Sequence, residues 1–201
     1  MQSKETAIKH LEQGLEEAAG VDETKLAEEI RATGFKCKNC AQCCKVEGGD
    51  NTVLVFPSEI KRIRKKTGLK RDDFALPMPS QDRDSEGNIH TFEWVLRKNG
   101  NCIFLEERLC SVYKERPHIC KTYPFYLLEG KLMVSECMGA GGEISSEESK
   151  KLAALLKERY ITEIKESISL LEKFKGFAPG DGNICVHDSE GEHWVEKQYK
   201  P

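Results

Sequence analysis

The sequence predicts an α+β fold: a small, cysteine-rich core of short strands and loops, flanked by N-terminal helices and followed by a long C-terminal amphipathic helix. Three observations carry this expectation. Eight of the nine cysteines fall between residues 37 and 137. The same stretch is divided into short apolar runs by turn dipeptides such as Asn99-Gly100 and Glu129-Gly130, a hairpin signature. On both sides of it, apolar residues recur at helical spacing.

Residues 4–19 and 22–33 read as two helices. Ile8, Leu11 and Leu15 recur at i, i+3 and i+7, and Leu26 with Ile30 continues a stripe after Asp22, a residue suited to cap a helix start. Gly20 and Gly34 punctuate the two ends. Thr52–Phe56 reads as a short strand, and Pro57-Ser58-Glu59 opens a helix through Ile60 and Ile63, with Ser58 as the expected cap. Residues 70–88 are polar, rich in Asp, Ser and Pro, and read as loop. Ile89–Leu96 reads as a strand, Cys102–Leu105 as the strand returning from Asn99-Gly100, and Phe125–Leu128 with Leu132–Val134 as a second hairpin. Gly139-Ala140-Gly141-Gly142 reads as a flexible connector.

Ser145 or Ser146 starts the last long helix, with Glu147 and Glu148 in its first turn. Apolar residues from Leu152 to Phe174 keep near-helical period, and Gly176 is a natural stop. About 30 residues is long for one helix of a globular protein, which leaves room for a break near Tyr160–Thr162. The expected organisation is an N-terminal helical arm over 1–34, a cysteine-rich metal-binding domain over 35–142, a C-terminal helix packed on the core over 143–177, and a flexible tail over 178–201.

Composition narrows the function. The 201 residues carry 31 Lys+Arg against 34 Asp+Glu, a net charge of −3, which argues against a general nucleic-acid binder. The basic run Lys61, Arg62, Arg64, Lys65, Lys66, Lys70 and Arg71 reads as a solvated helix face. No apolar stretch is long enough to span a bilayer. The charged N-terminus lacks the apolar region of a signal peptide, so a cytoplasmic location is expected. There thiols stay reduced, and clustered cysteines hold metal rather than disulfides.

Cys37-Lys38-Asn39-Cys40-Ala41-Gln42-Cys43-Cys44 places four thiols in eight residues as C-x2-C-x2-C-C. Thiolates in this number point to iron–sulfur chemistry or zinc. The C-x2-C-x2-C run opens like that of a bacterial ferredoxin but lacks its Cys-Pro ending. Structural zinc more often uses C-x2-C pairs set apart. The spacing therefore leans to iron–sulfur, with zinc as the alternative. Adjacent side chains tend to diverge, so Cys43 and Cys44 are expected to mark where one metal site ends and a second begins.

Four more thiols follow in Asn101-Cys102, Leu109-Cys110-Ser111-Val112-Tyr113, Arg116-Pro117-His118-Ile119-Cys120 and Cys137, with Tyr123-Pro124-Phe125 between the last two. With the octet, this pattern resembles the CxxCxxCC family of zinc- or iron-chelating cysteine-cluster proteins, often called the YkgJ type. Flagellin lysine N-methylases belong to the same broad family. The resemblance covers about residues 35–140. It implies metal binding by Cys37, Cys40, Cys43, Cys44, Cys102, Cys110, Cys120 and Cys137 without fixing the metal; the spacing makes a 4Fe–4S cluster the expected cofactor and zinc the alternative. An unidentified protein or redox partner goes with that expectation. So does, from the family association alone, an S-adenosylmethionine-dependent methyltransferase reading.

The remaining chemistry is sparse. Lys36, Lys38, Lys45, Arg108, Lys114, Arg116 and Lys121 flank the cysteines and suit charge compensation. His118 is a candidate hydrogen-bond donor beside Cys120. Tyr113, Tyr123 and Phe125 are expected to exclude water. Cys185, in Cys185-Val186-His187, reads as an unligated thiol in the tail, and His10, His90 and His193 as ordinary histidines without visible partners. No catalytic constellation stands out, so the sequence leaves enzymatic activity undecided.

Overall fold

A computed structural model describes residues 3–45, 52–177 and 183–196. The fold is α+β, with six helices and twelve short strands among these residues. Helix α1 (Lys4–Ala19) is capped by Ser3, and α2 (Glu23–Thr33) by Asp22, whose carboxylate accepts from the N–H groups of Thr24 and Lys25. Strand β1 (Leu54–Val55) leads into α3 (Pro57–Thr67). The cap of α3 is Phe56 rather than Ser58, because Pro57 takes the first helical position and Glu59 reaches back to the Phe56 N–H at 3.0 Å.

The polar stretch expected as loop contains α4 (Arg71–Phe74) and β2 (Ala75–Pro77). Phe74 and Ala75 are buried there and supply the apolar contact that local polarity obscures. The expected strand Ile89–Leu96 is two strands, β3 (Ile89–Thr91) and β4 (Trp94–Leu96), which belong to different sheets. Sheet β1-β4-β2 is antiparallel. Two small hairpins follow, β5 (Lys98–Asn99) with β6 (Asn101–Cys102) and β7 (Leu105–Glu106) with β8 (Leu109–Cys110).

Helix α5 (His118–Thr122) precedes the hairpin β9 (Phe125–Leu128) and β10 (Lys131–Val134). Its turn has positive φ at both Glu129 and Gly130, 50° and 72°, as a tight two-residue hairpin requires. Helix α6 (Ser146–Lys173) runs unbroken for 28 residues. Ser145 and Glu148 form a capping box at its start. The break expected near Tyr160 is absent because α1 and α2 both pack along this helix and support its length.

Residues assigned to a flexible tail instead contain a hairpin, β11 (Ile184–Asp188) with β12 (Gly191–Val195). Strand β11 also pairs in parallel with β3, far back in the chain. That pairing buries Cys185, Val186 and His187, which explains why a charged, glycine-containing segment is ordered. The other parts of the expected tail, 178–182 and 197–201, lie outside the described residues.

Two apolar clusters organise the chain. The first joins Val55, Ile60, Ile63, Phe74, Trp94, Phe104 and Val186. The second joins Leu26, Ile30, Phe125, Leu127, Ala153 and Leu156. Helix α6 grips the middle of the chain through Arg159, whose guanidinium donates to the Thr122 hydroxyl at 3.0 Å. Lys4 donates to the carbonyls of Glu172 and Phe174, tying α1 to the far end of α6. No helix among the described residues is long and apolar enough to cross a membrane.

Candidate metal centre

Several of the clustered cysteines lie beside the two apolar clusters. Cys102, Cys110 and Cys120 pack against the first cluster. Phe35, just ahead of Cys37, packs against the second and meets Phe125 edge-on at 5.9 Å. The Cys37 and Cys137 segments are laid side by side by an antiparallel bridge, Phe35 to Ala140, and by the Lys36 N–H donating to the Gly139 carbonyl at 2.9 Å. Glycine is required at this crossing. A Cβ on Gly139 would stand 2.5 Å from the Lys36 carbonyl oxygen, and one on Gly142 would stand 2.8 Å from the Lys36 Cβ. The glycine run expected to be a flexible connector is thus a close chain crossing that positions two of the thiols.

The octet turns inward through Ala41, whose φ is 60°, into a single 3-10 turn over Gln42–Cys44. This turn defeats the expected divergence of the paired cysteines. Their sulfurs lie 3.9 Å apart and share the same neighbours. Cys43 interacts electrostatically with Cys44, Cys102, Cys110 and Cys120, and Cys44 with Cys102 and Cys120. Tyr123 feels Cys137, Cys43 and Cys40 together, which links Cys40 and Cys137 to the same region. Cys43 and Cys44 therefore stand together beside Cys102 and Cys120.

The thiols of this centre are unequal. A hydrogen bond from Cys44 lowers Cys43 to about 7 against the opposing effect of burial, and its backbone and the Arg116 charge assist. Cys44 moves the other way, raised by that hydrogen bond, by burial and by its thiol neighbours. Burial is also the main cause that raises Cys102, Cys110 and Cys120. The thiolate is the reactive form. In metal-free protein at pH 7, iodoacetamide is expected to modify Cys43 at least about tenfold faster than Cys44, Cys102, Cys110 or Cys120. Cys44→Ala should slow that reaction, as read by peptide mass mapping.

Arg116 places a cation beside Cys43 and Cys110, and Lys98 another beside Cys102. Arg116 lowers Cys43 and Cys110 by its charge, stacks its guanidinium 3.7 Å over Tyr113, and donates to the carbonyls of Tyr113 and Cys120. Tyr123 donates its hydroxyl to the Glu136 carbonyl and so ties the Cys120 helix to the Cys137 segment. Phe125 is buried in the second cluster, whereas Tyr113 is largely exposed and covers the guanidinium.

Helix α5, which carries Cys120, is held by a residue the sequence reading passed over. Glu59 is buried to 1% exposure, and its Oε1 accepts the His118 backbone N–H at 2.7 Å while its Oε2 accepts from Phe56. His118 Nδ1 also stands 3.1 Å from Oε1, at an angle poor for a hydrogen bond. Burial would raise the Glu59 carboxyl, but the His118 side chain and the two backbone donors outweigh it and hold the group below its usual range. His118 is thus a partner of Glu59 rather than of a sulfur. The one signal in the sequence is Glu at the third position after Phe56, the place from which a side chain reaches back over a helix start.

A family model described as "CxxCxxCC: putative zinc- or iron-chelating domain" matches residues 36–154. The chain belongs to the CxxCxxCC family. The match spans the whole thiol-bearing segment and the first turns of α6, and it carries no statement about flagellin lysine N-methylases. No curated protein and no solved structure matches the chain. As a CxxCxxCC protein it belongs to a family described as zinc- or iron-chelating, and its free thiols are soft ligands suited to either metal.

Two further expectations are corrected. Cys185 is not a tail thiol but a fully buried residue of β11, and His90 is not without partners: its ring contacts both Asp84 and His187. His193 likewise meets the Asp188 carboxylate at 3.0 Å.

Proposed function

We propose that this CxxCxxCC protein carries an iron–sulfur cluster of the 4Fe–4S type, ligated from Cys37, Cys40, Cys43, Cys44, Cys102, Cys110, Cys120 and Cys137, and that its role is redox or the support of a modification reaction. The observation that carries this reading is the spacing of the sulfurs. Thiolates sharing one tetrahedral zinc at ~2.3 Å stand ~3.8 Å apart. Among the described residues, no three of these eight thiols lie within 4.8 Å of one another. A polynuclear cluster binds its thiolates through different iron atoms and so suits a wider ring.

Electrostatics supports the same reading. A cluster held by four thiolates is dianionic in its common oxidised state, and Arg116 places a fixed positive charge beside Cys43 and Cys110. Tyr123 and the two apolar clusters limit water around the sulfurs, one of the means by which a protein sets a cluster's potential. The bound cluster would supply one-electron transfer. The chain's own part is to hold the thiolates, balance their charge and limit solvent.

One observation favours zinc as a second reading: the 3.9 Å separation of Cys43 and Cys44 matches a shared mononuclear ion. Anaerobic purification separates the two. The iron–sulfur reading expects a brown protein with iron and acid-labile sulfide in equal amounts. A colourless protein with stoichiometric zinc and no sulfide would overturn it.

A further inference from the structure

We propose that His90, Cys185 and His187 form a second metal site, separate from the eight-cysteine centre, that takes a divalent ion of the zinc class. Strand pairing creates it. The parallel register of β3 and β11 sets Cys185 directly beside His90, and the two-residue repeat of a strand puts His187 on the same face as Cys185. The three ligand atoms lie within 4.8 Å of one another, and the residues are 1%, 0% and 2% exposed.

The two ring nitrogens already stand close to the separation of a ligand pair. His90 Nδ1 and His187 Nε2 are 2.9 Å apart. Two nitrogens bound to one tetrahedral zinc at ~2.0–2.1 Å stand ~3.3–3.4 Å apart. An opening of a few tenths of an ångström therefore converts the contact into a ligand pair.

His90 is oriented for this from behind. Its Nε2 meets Asp84 Oδ2 at 3.0 Å, which leaves Nδ1 facing His187 and Cys185. Asp84 is itself pinned: Oδ1 accepts the N–H groups of Glu86 and Asn88, and Oδ2 accepts the Asn88 side-chain amide at 2.6 Å. A fixed carboxylate behind a histidine is the arrangement that sets the tautomer and raises the basicity of a metal-binding imidazole.

Charge balances as well. A divalent ion, one Cys185 thiolate, two neutral imidazoles and the Asp84 carboxylate sum to zero, and the nearby Asp188 and Glu192 carboxylates add negative charge that favours a cation here. Binding releases the Cys185 proton to solvent. Phe174, Phe177 and Phe92 ring the histidines, with centroids 5.0 Å, 4.4 Å and 5.3 Å from the nearer imidazole. The three side chains leave one tetrahedral position for water or another small ligand, as in zinc sites that are not purely structural.

The test uses the full chain, purified anaerobically, saturated with zinc and freed of unbound metal by desalting. Zinc K-edge X-ray absorption should show mixed nitrogen and sulfur ligation with imidazole outer-shell scattering. The eight-cysteine centre has no histidine in its ligand set, so this signature distinguishes the two sites even if that centre also holds zinc. His90→Gln and His187→Gln should each lower bound zinc by one ion per chain and remove the imidazole signal, with the iron content unchanged. A wild-type spectrum with sulfur ligation alone would overturn the proposal, as would folded variants that keep the wild-type zinc. The cluster would then be a hydrogen-bonded histidine pair of the core. The wild-type spectrum decides the matter even if both variants fail to fold.

Discussion

Cys120→Ser is expected to strip at least half of the bound iron and to lower the thermal midpoint of the metal-loaded protein by more than about 10 °C. Serine has no thiolate, and its hard hydroxyl is a poor ligand for iron in a cluster. Cys120 sits at the point of greatest leverage. It lies in α5, packs against the first apolar cluster, and is followed directly by the Thr122 and Phe125 contacts that Arg159 grips from α6. Metal binding at thiolate sites contributes on the order of 10 kcal/mol to folding. Each kcal/mol shifts the midpoint of a chain this size by about 2–4 °C, so loss of even a third of that contribution is readily measured. Calorimetry of loaded and metal-free protein, with iron analysis, checks it. If the metal-free wild type and variant melt together while the loaded forms differ, the effect is ligation and not packing.

Glu59→Ala is expected to destabilise the fold by ~3–5 kcal/mol, or about 6–20 °C, because it removes one member of a buried polar set and leaves the others unpaired. The His118 and Phe56 N–H groups lose their acceptor, and the start of α5 loses its anchor. Glu59→Gln should recover part of the loss, since its amide oxygen still accepts from His118. The pH dependence has a defined sign. The Glu59 carboxyl is depressed in the folded protein. Its contribution is therefore fully present above the unfolded carboxylate pKa of about 4.3 and is lost as pH falls through the lower folded value. The gap between wild type and Glu59→Ala, read by thermal melts across pH, should be widest near neutrality and narrow below about pH 4.

What the sequence revealed and what it hid divide along the range of the interactions. Asp22, Ser145 and the Glu129-Gly130 turn announce themselves because capping and turn geometry act within a few residues. The four thiols of the octet stand out for the same reason, since metal-ligand spacing is a local code, whereas Cys102, Cys110, Cys120 and Cys137 were picked out by family resemblance. The β11–β12 hairpin was missed because its order depends on pairing with β3, almost a hundred residues away. Ile89–Leu96 looked continuous because nothing local shows that its halves join different sheets. The Glu59–His118 and His90–His187 contacts were invisible for that reason too: their partners are 59 and 97 residues apart. The divergence expected of Cys43 and Cys44 failed because a left-handed residue, Ala41, precedes them and redirects the chain.

The central claim is that the eight-cysteine centre holds a cubane cluster and not mononuclear zinc. Mössbauer spectroscopy of anaerobically prepared, iron-57-enriched protein tests it most directly. The account predicts a quadrupole doublet from delocalised mixed-valence iron, converting to a spin-coupled paramagnetic spectrum on one-electron reduction. A spectrum of isolated ferrous tetrathiolate iron, or protein that takes up no iron and holds zinc in its place, would contradict it.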